Sequence, residues 1–284
     1  MKKFFCCFLV LSLFLILTGC GGQPSSGGSD AGSSAAASSG ESSQTADDSD
    51  LAYVQNKGTL IVGITEFEPM DYQDEDGQWI GFDADMAKAF AKSLGVEPKF
   101  QLIADWDSKV MELEGKTVDV VWNGMTLTEE VLASMSCSNP YYYNAQVVVV
   151  PADKAEQYQT EESLAGLRFA AENGSAGQAV AEEKSLAVTP VQDQAAALLE
   201  VASGNADAAV IDYLMARAMT GEGTSYADLA CTVRLSEEQY GVGFRKGSDL
   251  TKMLNEFFAE QYAAGEMQKL AETYGIADSL VEQK

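Results

Sequence analysis

The order of apolar and polar positions divides this chain of 284 residues into three stretches. Behind Lys2 and Lys3 runs an apolar segment, residues 4–17, interrupted only by Ser12, which ends at Leu17-Thr18-Gly19-Cys20. Residues 21–50 are Gly, Ser and Ala with scattered acids, and no face of that stretch gathers enough apolar surface to bury. From Leu51 onward, short β-branched runs alternate with segments whose apolar residues recur every three or four positions. Thr59-Leu60-Ile61-Val62-Gly63-Ile64, bounded by Gly58 and by an acidic, proline-containing loop, predicts a buried strand. Met86, Phe90 and Leu94 at four-residue spacing, with Asp83 as N-cap and Gly95 as stop, predict a helix. Residues 118–122 and 147–150 read as further strands. After Pro151 the cycle repeats, with strands at 167–169, 188–189 and 208–211 and helices from about Ser175 and over 195–201. Such alternation implies an α/β fold with parallel sheets, and ligands in that architecture gather beyond the C-terminal ends of the strands.

The apolar run 4–17 is shorter than the roughly 20 residues a spanning helix needs, and it stops at small residues and a cysteine. It reads as a lipoprotein signal over residues 1–19, with lipid on Cys20 tethering the mature chain to the outside of a bacterial cell membrane. Residues 20–50 then form a flexible tether with a reach of about 30 Å. The remainder, from residue 51 to 284, is long enough for two lobes with cores of their own.

Charge and composition narrow the chemistry. Forty-three acids against 18 bases give a formal charge of −25, which argues against nucleic acid and against direct adhesion to anionic lipid. The absence of histidine excludes histidine-based triads, metal ligation and acid–base work. Cys6 and Cys7 fall in the signal and Cys20 takes the lipid, leaving Cys137 and Cys231. A disulfide and two buried thiols are equally compatible with that pair. No Cys-x-x-Cys spacing exists, so neither a metal nor another cofactor is expected.

Polar and aromatic residues cluster at the predicted strand ends: Glu66 and Phe67 after Ile64, Asn123-Gly124-Met125-Thr126 after Trp122, and Asp212 after Ile211. These, with Gly81-Phe82-Asp83, Leu127-Thr128, Ser138-Asn139-Pro140-Tyr141, Leu164-Ala165-Gly166, Gly174-Ser175 and Tyr240-Gly241-Val242-Gly243-Phe244, stand in an order that resembles the amino-acid-type (family 3) solute-binding lipoproteins of bacterial ABC importers. The likeness covers about residues 51–275. It implies a two-lobe, type II periplasmic-binding-protein-like fold with crossing segments near 145–147 and 240–242. Lobe one is then 51–145 plus 242–284, and lobe two 146–241. It further implies capture of a small ligand by hinge closure, delivery to an ABC transporter permease, and no enzymatic activity. Two alternatives accompany this reading. One is a sensor lipoprotein that feeds no transporter; the other is lyase or dehydratase chemistry on a related scaffold, for which the sequence offers no activated base.

Carried over by position, Phe67 and Trp106 match side-chain contacts, Gly124 a carbonyl that accepts from the ligand ammonium, Thr126 a hydroxyl beside it, and Asp212 the carboxylate that pairs with that ammonium. Glu66, Tyr72, Asn123, Met125 and Ser175 complete the candidate set. Two positions depart from the family pattern: Val131 stands where an arginine forks onto the ligand carboxylate, and Ala176 where a second hydroxyl would assist. Two ligand readings follow. One is a cationic amine without a carboxylate, held by Asp212 and Glu66 and by the faces of Phe67, Tyr72, Trp106 or Trp122. The other is an amino acid whose carboxylate meets a different base, such as Arg217. Asp83, Asp119 and Asp207 read as caps or turn residues.

Overall fold

The computed structural model describes residues 49–284; the expected signal, Cys20 and the tether as far as residue 48 lie outside the described residues. The strands are β1 (Thr59–Ile64), β2 (Tyr72–Gln73), β3 (Trp79–Ile80), β4 (Glu97–Leu102), β5 (Val120–Thr126), β6 (Ser136–Cys137), β7 (Tyr142–Asn144), β8 (Gln146–Pro151), β9 (Arg168–Glu172), β10 (Ala187–Val191), β11 (Ala208–Asp212), β12 (Leu229–Arg234) and β13 (Glu238–Phe244). The helices are α1 (Asp50–Lys57), α2 (Phe82–Ser93), α3 (Lys109–Glu114), α4 (Glu129–Ser134), α5 (Ala176–Glu183), α6 (Gln194–Ala202), α7 (Tyr213–Met219), α8 (Leu250–Ala263) and α9 (Glu266–Thr273).

Two large sheets form, in the orders β4-β1-β5-β13-β6, with β7 also on β13, and β10-β9-β11-β8-β12, and β2 pairs with β3 in a separate two-stranded sheet. The chain passes from the first sheet to the second at Ala145, between β7 and β8, and returns over residues 235–237, between β12 and β13. The return therefore precedes the expected 240–242. Tyr240 and Gly241 already pair with Thr126 and Met125 of β5, and Tyr240, Val242 and Phe244 are all fully buried, so the glycine-rich string is a strand of the first sheet.

Burial explains why the strands read as near-continuous apolar runs. Val147 and Val149 of β8 face one core, with Ala209, Ile211, Leu198 and Val201, while Val148 and Val150 face another, with Phe169, Val210 and Ala181. Successive strand residues point to opposite faces, and here both faces are covered. In the first sheet Leu60, Val62, Ile64 and Trp122 pack against Phe82, Met86 and Phe90 of α2 and Leu254 and Phe258 of α8. Trp122 is fully buried, edge-on to Phe258 at 5.5 Å, and serves the core instead of offering a face to a ligand.

Three acids differ from their expected roles. Asp83 lies inside the first turn of α2, where Gly81 is the N-cap; its buried Oδ2 accepts from Gly124 N at 2.6 Å and from Tyr141 Oη at 2.6 Å. Asp119 is fully buried and accepts from Lys57 Nζ at 2.5 Å and Ile61 N at 2.7 Å, with Arg245 at 3.7 Å. Asp50, assigned to the tether, opens α1 and pairs with Arg245 at 2.8 Å, while Ser49 caps that helix by accepting from Ala52 N. The last two tether residues thus belong to the folded body. Cys137 on β6 and Cys231 on β12 are free thiols on different sheets.

Candidate interlobe ligand site

A cavity of ≈ 270 Å³ opens between the two sheets, lined by Trp106, Lys109, residues 123–126 and Val131 from the first lobe and by Glu172, Ser175, Ala176, Gln194 and Asp212 from the second. Its polar residues sit at strand ends for a topological reason. β5, β9 and β11 run their C-terminal residues into the gap, and the helices that follow start there.

Asp212 ends β11 and is buried. Its Oδ1 accepts from Asn144 Nδ2 at 2.5 Å, Gln146 Nε2 at 3.1 Å and Tyr240 Oη at 2.6 Å. Gln194 grips the residue twice, donating from Nε2 to Oδ2 and accepting the Asp212 N–H at 2.9 Å. Although Asp212 occupies the N-cap position of α7, its side chain makes no cap bond. Burial first, then the neighbouring Glu238 carboxylate, pushes its pKa well above the usual range. Oδ2 accepts one protein donor where Oδ1 accepts three, so the free acceptor capacity lies on Oδ2.

Across the gap, Gly124 holds φ +55°, and a Cβ there would collide with the Phe67 ring. Glycine is what the aromatic contact requires. Asn123 is tied to the end of β1, accepting from Thr65 N at 2.9 Å and donating to Thr65 Oγ1 at 2.7 Å. Thr126 donates its hydroxyl proton to Glu238 at 2.9 Å, which leaves its oxygen free to accept. Ser175 caps α5 by accepting from Gln178 N at 3.1 Å. Val131 and Ala176 line the cavity and bring no polar side-chain atom to it.

The structure does not bring the whole candidate set together. Trp106, residues 123–126, Ser175 and Asp212 share the cavity wall, whereas Glu66, Phe67 and Tyr72 are not among its lining residues. Phe67 is 2% exposed and packs behind Gly124 and edge-on to Tyr240. Glu66 is largely exposed, its carboxyl raised by partial burial and then by Asp193. Tyr72 and Arg217 line a separate hollow with Tyr274.

Of the charged cavity residues that the sequence pattern did not single out, two are buried. Lys109, the first residue of α3, is 8% exposed; its Nζ donates to the carbonyls of Trp106 and Gly174, each at 3.1 Å, and lies 5.2 Å from the Trp106 ring centroid. Burial lowers its pKa, while Asp107, Glu130, Glu172 and Asp105 pull it back up. Glu172, the last residue of β9, is 4% exposed and is pushed up to about 8, by burial first and by Asp193 next. The strand-end rule that picks out Asp212 applies equally to Glu172 and is the signal that could have found it. Lys109 carries none, because a lysine opening a helix ordinarily lies in solvent.

Direct contacts also join the lobes at this point. Besides Lys109 to Gly174, Asn173 Nδ2 donates to Asp105 Oδ1 at 2.9 Å, and Gly174 packs on the backbone of Asp107.

Known proteins share this architecture. Residues 60–277 match the family model of the bacterial extracellular solute-binding proteins, family 3. The L-cystine-binding protein TcyJ of Escherichia coli K12 is 29% identical over 82% of this chain and 88% of its own. The arginine-binding extracellular protein ArtP of Bacillus subtilis is 31% identical over 75% of this chain and 85% of its own. Among solved structures, a mutant of ArgBP from T. maritima superimposes with a TM-score of 0.74 at 34% identity, covering 79% of this chain and 98% of that one. The match spans both sheets and the segments between them, and the chain belongs to the bacterial extracellular solute-binding proteins of family 3.

Proposed function

We propose that this protein captures a small amino acid or related amine in the interlobe cavity and presents it to an ABC transporter permease while lipid on Cys20 holds it at the cell surface. One observation supports the reading above others: a buried carboxylate, Asp212, shares a cavity with the strand end 123–126 of the opposite lobe. An ammonium there accepts from neither lobe and donates to both, to Asp212 on one side and to the Gly124 carbonyl and Thr126 hydroxyl on the other. Charged hydrogen bonds in a dry site exceed their exposed counterparts. A ligand that touches both walls binds the closed arrangement better than an open one and shifts the population toward closure. The volume of ≈ 270 Å³ suits one amino-acid-sized molecule.

The test pairs calorimetry with solution scattering. An amino acid or amine that binds should reduce the radius of gyration, and Asp212→Asn should weaken it by about 1.5–3 kcal/mol, the worth of a charged hydrogen bond. Unchanged affinity in that variant would remove Asp212 from the site.

A further inference from the structure

Behind the cavity wall, the first lobe seals two acids next to one another. Asp71 ends the loop that carries Phe67, and Asp83 stands in the first turn of α2; both are fully buried, and neither is among the cavity's lining residues. Backbone bonds hold loop and helix together, because the N–H groups of Phe82, Asp83 and Ala84 donate to the carbonyls of Pro69 and Met70 at 3.0–3.3 Å. The loop is closed on itself by Phe67 N donating to Asp71 O at 2.7 Å and Asp71 N to Phe67 O at 2.8 Å.

Hydrogen-bond donors are divided unequally between the two carboxyls. Asp83 Oδ2 accepts from Gly124 N and from Tyr141 Oη, each at 2.6 Å, and the Trp122 indole also favours its charged form. Both carboxyl oxygens of Asp71 are sealed from solvent with no hydrogen-bond partner among the described residues, and so is Asp83 Oδ1. Donors stabilise a carboxylate, and a buried carboxyl without them keeps its proton. The surrounding charges act in the same direction. Asp83, Asp85 and Lys88 face Asp71 from α2, Glu66 from its own loop and Tyr141 from the segment before β7; burial first, then the Asp83 carboxylate, pushes the Asp71 pKa well above the usual range. Lys88 is already bonded to Asp85 at 2.8 Å and to the Trp79 carbonyl at 2.5 Å. Two neighbouring carboxylates in a sealed core repel, whereas one proton between them makes a charge-assisted bond.

We infer that Asp71 is a neutral acid that donates its proton to the Asp83 carboxylate, so that the pair is a positioning element for the cavity wall. The Asp71 O–H fastens the Phe67 loop to α2, while Asp83 keeps the Gly124 N–H and the Phe67 ring packs behind Gly124. Gly124 is thereby held from two directions by groups outside the cavity. Loss of the proton leaves two carboxylates in a dry core and loosens both holds. The consequence for ligand capture rests on the proposed role of the Gly124 carbonyl; the place of the proton does not.

Carboxyl ¹³C NMR of the wild type, assigned with Asp71→Asn and Asp83→Asn, reads the proton directly. At about pH 8 Asp71 should show the shift of a neutral acid and Asp83 that of a carboxylate; an ionised Asp71 or a neutral Asp83 overturns the inference. Asp71→Asn keeps an N–H donor toward Asp83 and should leave the Gly124 amide resonance near its wild-type position, whereas Asp71→Leu, of similar size and without a donor, should move it. Equal shifts in both variants, or none in either, overturn the positioning role. Because the native state holds a proton that the unfolded chain releases, stability declines as pH rises. Above about pH 7 the wild-type unfolding constant should climb about tenfold per pH unit more steeply than that of Asp71→Asn, the mark of one extra bound proton; equal slopes overturn the inference even if Asp71→Leu does not fold. None of these measurements uses a ligand, so their failure leaves the proposed function standing, and a failure of amino compounds to bind leaves the proton's place standing.

Discussion

On the proposed hinge-closing reading, the sharpest steric demand falls on Gly174. It holds φ +68°, and a Cβ there would lie 2.5 Å from Asp107 Cα and 2.6 Å from Asp107 Cβ. Carbon atoms prefer about 3.5–4.0 Å, so Gly174→Ala must open the lobes by roughly 1 Å at this point. That opening stretches the Lys109–Gly174 and Asn173–Asp105 bonds, now 3.1 and 2.9 Å. With each worth about 0.5–1.5 kcal/mol, and the steric term added, the closed form should lose about 2–3 kcal/mol. Ligand affinity should then fall about 30- to 150-fold. The left-handed backbone of alanine costs a further 1–2 kcal/mol or so, but equally in open and closed forms, so it lowers thermal stability and not affinity. Gly166→Ala separates the two effects. Gly166 has φ +85° with nothing within 4 Å of where a Cβ would stand, so its variant should lose stability and keep its affinity. Calorimetry gives the affinities, melting the stabilities, and scattering the compaction on ligand addition. Wild-type affinity in Gly174→Ala would refute the claim that this contact belongs to the ligand-bound form, and equal affinity losses in both variants would refute the steric argument.

Three further outcomes follow from buried acids. Glu172 is held at about 8 against an ordinary 4.5, so the native state binds its proton more tightly than the unfolded chain does. Its stability contribution is therefore fullest below about pH 4.5 and declines as pH rises to about 8; Glu172→Gln should lessen that slope in denaturant titrations, and an unchanged slope would contradict the burial argument. Asp83→Ala strands the buried Gly124 N–H and Tyr141 hydroxyl and should cost about 2–4 kcal/mol by chemical denaturation; a loss under about 0.5 kcal/mol would show those donors find other partners. Asp119→Ala leaves Lys57 and Arg245 without this partner and should cost about 3–5 kcal/mol, with ligand affinity intact because Asp119 is not among the cavity's lining residues.

What the sequence made legible was burial on both faces. The apolar run at β1 marks its strand end to end, and the valines of β8 announce a covered strand. β4, Glu-Pro-Lys-Phe-Gln-Leu, escaped because it is an edge strand with much of its surface exposed and looks like a loop. β5 runs on past the expected end at Trp122 to Thr126 because its later residues still pair with β13, a long-range partner that local pattern does not reveal. The same limit hid Asp83, whose partners Gly124 and Tyr141 are 41 and 58 residues away. Lys109 became a cavity residue only because the short 3-10 turn Trp106–Ser108 sets it against Gly174 of the other lobe. Local spacing carries helix faces and strand runs; the site is built from contacts between strand ends far apart in the chain.

On the proposed function, the position of Asp212 would couple binding to hinge bending. Its donors come from both sides of the crossing: Asn144 and Tyr240 belong to strands of the first sheet, Gln146 and Gln194 to the second lobe. Asn144 and Gln146 flank the crossing at Ala145, and each also donates to Glu238, the first residue after the return crossing, at 2.7 and 2.9 Å. One network of shared N–H groups thus fastens both crossing segments around two neighbouring carboxylates. Like charges so placed repel, which is part of what raises the Asp212 pKa. A cation arriving at Asp212 relieves that repulsion where the two segments meet, so on the proposed reading its charge acts directly on the hinge as well as on the cavity wall. A neutral ligand of the same size would fill the space without that relief, and shape alone would not close the clamp as firmly.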